Sequence, residues 1–112
     1  MTHTLGHLFA DLPDASTQEQ FQTLAAAAGA RVERIVSCGQ TTPPDEWYDQ
    51  DHDEWVVVLQ GSARLVIEGQ PGEISLGEGD WVDLPTRCRH RVSFTSSEPP
   101  CVWLAIHLPA AH

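Results

Sequence analysis

The sequence is short of positive charge. Six Arg and Lys residues stand against sixteen Asp and Glu, a formal net charge of -10. A phosphate-binding face needs clustered basic side chains, so a nucleic-acid partner is excluded. Anionic membrane surfaces are disfavoured for the same reason. No apolar run approaches the roughly twenty residues that span a bilayer. The N-terminal stretch has neither a basic n-region nor a long apolar segment, so no signal peptide is expected. Cysteine is scarce: Cys38, Cys88 and Cys101 are odd in number and have no CxxC spacing. Disulfide scaffolds and structural zinc sites need more, and reduced thiols in a cytoplasmic protein are the simplest reading. No internal repeat, linker or low-complexity tract is evident. The 112 residues fit one domain able to bury its own core.

What is present is punctuated by turns. Residues 1–14 read as an arm that carries His3 and His7, with Leu5, Leu8, Phe9 and Leu12 available for packing. Ser16-Thr17-Gln18-Glu19 has the form of a capping box, with Ser16 as N-cap and Glu19 reaching back. Phe21, Leu24, Ala25 and Ala28 recur at helical spacing, and Gly29 is a natural helix stop. One short N-terminal helix is therefore expected over 16–29. From Ala30 to Leu108 the period changes to two. About seven to nine short strands separated by Gly, Pro and Ser turns predict an all-β sandwich or barrel over 30–108.

The stretch Glu46–Gly61, EWYDQDHDEWVVVLQG, joins polar donors to a buried-strand run. Glu54 and Gly61 are seven apart, and Gly79, Pro85 and His90 follow downstream. These positions resemble the cupin superfamily. In that family a first motif runs from an HxH pair through a glutamate to a glycine seven residues on, and a second runs G-x5-P-x-G-x2-H-x3-N. Arg87 stands where the second motif has its second glycine, and Phe94 where it has asparagine. The match is closest to single-domain cupins with a WYDQ-type first motif, here Trp47-Tyr48-Asp49-Gln50, for which no reaction is assigned. The resemblance implies a double-stranded β-helix, or jelly-roll barrel, and a homodimer.

It also implies a divalent metal, held in the family by the two histidines, the glutamate and the second-motif histidine. Neither histidine of the HxH pair is present here; Glu54 and His90 remain. Gln50 and His52 are the candidate replacements, with Asp49 and Tyr48 as further donors. Oxygen donors with one or two imidazoles suit zinc, iron, manganese or nickel equally. Glu54 and Tyr48 are the candidate acid/base residues. Arg87 or Arg89 could hold a substrate carboxylate. Cys88 and His90, two apart on a strand, could form a thiol–imidazole pair.

On the last strand, Trp103, Ala105 and His107 alternate with an apolar set, and they form either a pocket wall or a subunit contact. On the strand after Glu54, Val56 and Val58 should point inward. Trp55, Val57 and Leu59 then form a second apolar face that the helix or another subunit must cover. The expected function is a small barrel that binds a small polar or anionic molecule beside a divalent metal as an enzyme of unknown reaction. The alternative is a non-catalytic ligand-binding or regulatory barrel without metal.

Overall fold

The structure, a computed structural model, describes residues 2–110. Eight strands follow in order: β1 (Gln20–Ala27), β2 (Ala30–Ser37), β3 (Asp53–Gln60), β4 (Ala63–Ile67), β5 (Ile74–Leu76), β6 (Trp81–Leu84), β7 (His90–Thr95) and β8 (Cys101–Leu108). They build a five-stranded sheet, β1-β2-β8-β3-β6, and a three-stranded sheet, β5-β4-β7, with every pair antiparallel. The all-β jelly-roll expectation is met, and strands β2 to β8 fall where the period-two pattern placed them.

The expected helix over 16–29 is not formed. That stretch ends in a hairpin, in which β1 pairs with β2 from Gln20↔Val36 to Ala27↔Ala30. Its loop is Ala28-Gly29, with φ of 53° and 83°. Positive φ at both central residues is the two-residue turn that matches strand twist. The register shifts between Thr23 and Ala25, so Leu24 is a bulge. One extra residue breaks the alternation and imitates helical spacing. Local alanine propensity has yielded to main-chain pairing with β2. The capping box is absent as well. The Ser16 N–H donates to Asp14 Oδ1 at 2.9 Å, and the Glu19 carboxylate accepts from the Ser37 hydroxyl on β2.

The N-terminal arm lies on its own domain. The buried Arg34 guanidinium donates to the carbonyls of Leu8 and Ala10, each at 3.0 Å, and to Gln22 Oε1 at 2.9 Å. On β3, Glu54, Val56 and Val58 are buried, as the alternation predicts. Val56 and Val58 meet Leu65, Leu84 and Trp103 in the core between the sheets. Trp55 packs beside the exposed Trp81 on the outer face, ring centroids 5.7 Å apart. Among the described residues no helix covers that face.

Between β3 and β4 the chain turns at Gly61, with φ of 82°. A Cβ there would meet Ser96 Oγ, the Pro100 carbonyl at 3.0 Å and Cys101 Cα at 3.1 Å. Both conformation and space therefore require the glycine that closes the first motif. Arg87, where the second motif has a glycine, sits at φ of 65°.

Candidate functional site

The inner face of the large sheet carries a polar row. His107 on β8 pairs with Arg31 on β2 and with Glu54 on β3. Directly paired residues share a face, so Arg31, His107 and Glu54 stand side by side. The next residues inward along the strands include Glu33, Ala105 and Val56, followed by Ile35, Trp103 and Val58. The polar row therefore lies at one end of an apolar core. A cavity of about 240 Å³ opens there, walled by Arg31, Glu33, Glu54, His90 and His107 above Val56, Leu65 and Trp103. Glu19, Phe21, Tyr48 and Gln50 complete its rim.

Tyr48 reaches the cavity because its strand-like segment is laced to β7. The Tyr48 N–H donates to the His90 carbonyl at 2.8 Å, and the His90 N–H to the Tyr48 carbonyl at 3.1 Å. The two rings stack, centroids 5.3 Å apart. Burial raises the phenol above its ordinary value of 10.0, with the Glu19, Glu54 and Glu33 carboxylates adding to the rise against a Thr42 hydrogen bond. The Tyr48 phenol therefore holds its proton more tightly than a free one.

His90 is buried, and its Nδ1–H donates to the Cys88 carbonyl at 2.9 Å. That fixes the ring and leaves Nε2 without a protein partner. The contact uses the Cys88 carbonyl rather than its thiol, and burial raises the thiol above its usual range. A thiol–imidazole nucleophile is not assembled. Cys101, wholly buried, is pushed up to about 12 by burial and then by Glu19.

Glu54 is 8 % exposed and lines the cavity, with no hydrogen bond or ion pair to another side chain among the described residues. Arg31, half-buried, likewise lines the cavity with no side-chain partner among the described residues. Both face the cavity; among the described residues the buried side-chain nitrogen left without a hydrogen bond is Arg91 Nε instead. Arg87 and Arg89, the cations expected at the mouth, are spent elsewhere. Arg87 lies 3.3 Å from Asp49, and Arg89 lies 2.8 Å from Glu68 and 3.9 Å from Asp49.

The replacement metal ligands divide. Gln50 joins Glu54 and His90 at the cavity. His52 turns to His107, Nε2 to Nδ1 2.9 Å, and Asp49 turns to the arginines. His107 is also held by Glu33, Nε2 to Oε1 3.1 Å. Among the described residues no group of three or more His, Cys, Asp or Glu converges on a point that could hold a metal. One carboxylate, one imidazole and one amide fall short of the three or four good donors that a divalent ion needs. The donor set does not fit the family's metal. His3 and His7 are not among the residues lining the cavity.

Arg31, Glu33 and Glu19 did not stand out as site residues in the sequence. One signal was available: if Ile35 on β2 points inward, alternation carries Glu33 and Arg31 inward with it.

Glu19 gives a test of the local electrostatics. Burial raises its carboxyl above the ordinary 4.5, against the lowering effect of the Ser37 hydroxyl. A raised folded value means that the group's stabilising contribution is full below 4.5 and is lost as pH rises through the folded value. Glu19→Gln should therefore be more stable than wild type at neutral pH. The difference should fade on acidification to 4.5, as read from paired thermal melts across pH.

Two packed sheets enclosing a polar-ended cavity define a small jelly-roll barrel. The chain belongs to the cupin family, whose cupin domain matches residues 34–107. A candidate mannose-6-phosphate isomerase from Ralstonia eutropha superposes with a TM-score of 0.92 at 45% identity, over 96% of this chain and 100% of that one. A cupin superfamily protein from Desulfitobacterium hafniense gives 0.73 at 18% identity, over 88% and 84% of the two chains. KdgF from a Halomonas species gives 0.70 at 17%, over 88% and 87%. The last two likenesses show the fold alone. No curated protein matches the chain. No helix among the described residues is long and apolar enough to cross a membrane.

Proposed function

We propose that the barrel binds a small hydroxyl-bearing anion of the sugar-phosphate or sugar-acid class. Arg31 takes the anionic group, and Glu54 accepts a hydroxyl proton. One observation carries this reading: the cavity holds a buried carboxylate and a guanidinium, neither with a side-chain partner among the described residues, on opposite sides of His107. Two strand spacings separate them, about 9–10 Å between Cα positions. They are separated by the His107 strand, and a chain of a few carbons can bridge them. Tyr48 and the Nε2 of His90 add a donor and an acceptor on the facing wall. The likeness at 45% identity to a candidate mannose-6-phosphate isomerase points to the same ligand chemistry. Glu54 beside a bound hydroxyl is placed for proton transfer, the step on which sugar isomerisation depends.

Binding is measured calorimetrically with mannose 6-phosphate, galacturonate and, as a neutral control, mannose. One or both anions should bind and mannose should not. Arg31→Gln should weaken the anion by about 1.5–3 kcal/mol, the value of hydrogen bonds to a charged group. Equal binding of mannose, or an anion affinity unchanged in Arg31→Gln, would sink the assignment. Binding without any turnover would favour a carrier or sensor over an enzyme. The homodimer implied by the resemblance would be seated on the outer sheet face at Trp55 and Trp81, and sedimentation of Trp81→Ser reads it.

A further inference from the structure

His107, His52 and two carboxylates form a continuous line. Glu33 Oε1 lies 3.1 Å from His107 Nε2, His107 Nδ1 lies 2.9 Å from His52 Nε2, and His52 Nδ1 lies 3.4 Å from Asp51 Oδ1. The line crosses the wall of the barrel. Glu33 and His107 line the cavity; the side chains of His52 and Asp51 are 27% and 83% exposed. We propose that these groups are a proton relay between the ligand cavity and solvent. The proposal rests on the cavity being a ligand site.

The direction of the hydrogen bonds supports it. An ionised Glu33 can only accept, so His107 carries its proton on Nε2. The Nδ1 of a neutral His107 must then accept from the Nε2–H of His52. His52 Nδ1 is left facing Asp51 and water. In one passage a proton arrives at His52 Nδ1. The Nε2 proton of His52 crosses to His107 Nδ1, and the Nε2 proton of His107 crosses to Glu33. One proton enters and one is delivered. Both imidazoles end neutral with their tautomers exchanged, and Glu33 becomes a carboxylic acid at the cavity wall. The reverse passage removes a proton from Glu33. No bond other than N–H and O–H changes. The charged neighbours of His107 are Arg31 and Glu54, one on each paired strand; Glu19 lies on the same cavity. Asp53, next to His52, is engaged by the N–H and hydroxyl of Thr86 at 2.8 and 2.7 Å.

A structural pair of histidines and a relay respond in opposite ways to the same cut. The measurement is exchange of the His107 ring proton with water, by nitrogen-15 NMR of ligand-free protein. In His52→Gln the amide still donates to His107 Nδ1 but cannot pass a proton on. Exchange should slow several-fold, with main-chain amide exchange unchanged. His52→Asn is a second cut should the first fold poorly. Glu33→Gln removes the carboxylate that takes the His107 Nε2 proton, so exchange should slow there as well. Unchanged or faster exchange in the His52 variants would overturn the relay, because loosened packing speeds exchange. Exchange in Glu33→Gln as fast as in wild type would also overturn it, because the Nε2 proton would then leave without the Glu33 carboxylate. No ligand is present, so failure here leaves the calorimetric result standing, and the converse holds.

Discussion

Glu54→Gln should lose affinity for the anionic ligand by tenfold or more while gaining thermal stability. The two changes have one cause. Glu54 is buried on β3, where it pairs with His107 and Leu84, yet among the described residues no donor meets its carboxylate. A carboxylate on a largely buried residue, facing a cavity with no donor beside it, is poorly compensated. Removing the charge should stabilise by about 1 kcal/mol. The same removal deletes a charge-assisted acceptor for the ligand hydroxyl, which costs about 1.5–3 kcal/mol of binding. Stability and function thus oppose each other at this side chain, as they do where a site is kept under-satisfied for its ligand. Melting temperature and calorimetric affinity are measured on the same preparation. A carboxylate with a purely structural role would lose stability and leave affinity unchanged.

The second large effect concerns the scaffold. Gly61→Ala should destabilise by about 2–4 kcal/mol, combining the left-handed backbone cost with overpacking. At φ of 82° its new methyl would press on the Pro100 carbonyl and Cys101 Cα at 3.0 and 3.1 Å. Gly69 is the matched control, because it has φ of 86° and nothing within 4 Å of its ideal Cβ. Gly69→Ala should show the backbone cost alone, about 1–2 kcal/mol. Denaturant unfolding of both variants separates conformation from space. Equal losses would show that the motif glycine is needed for φ and not for room.

Much of this was legible in the residues. Glu54, Gly61, Gly79, Pro85 and His90 aligned the barrel, and the alternation after Glu54 put Val56 and Val58 inside. Gln50, Tyr48 and His107 were flagged and do reach the cavity. The helix was misread because the bulge at Leu24 turned a strand pattern into helical spacing, and no local signal marks a bulge. Glu19, which seemed to complete a capping box, instead accepts from Ser37 across the hairpin. His52 would share a face with Glu54 only if the strand reached that far back, and β3 begins at Asp53. Arg87 and Arg89 looked like the binding cations because they flank the second motif. Their partners Asp49 and Glu68 come from other segments, and only the fold reveals those pairs. Arg31 and Glu33 were hidden by the opposite effect. Each is an ordinary charged residue on a strand, and only the pairing of β2 with β8 places them beside His107.

The central claim is that the ligand spans Arg31 and Glu54. A crystal structure of the protein with mannose 6-phosphate tests it most directly. The phosphate should lie on the Arg31 guanidinium and a sugar hydroxyl within hydrogen-bonding distance of Glu54, with His107 between them. A phosphate held instead by Arg64, Arg89 or Arg91 outside the cavity, or a sugar bound through a metal between Glu54 and His90, would contradict it.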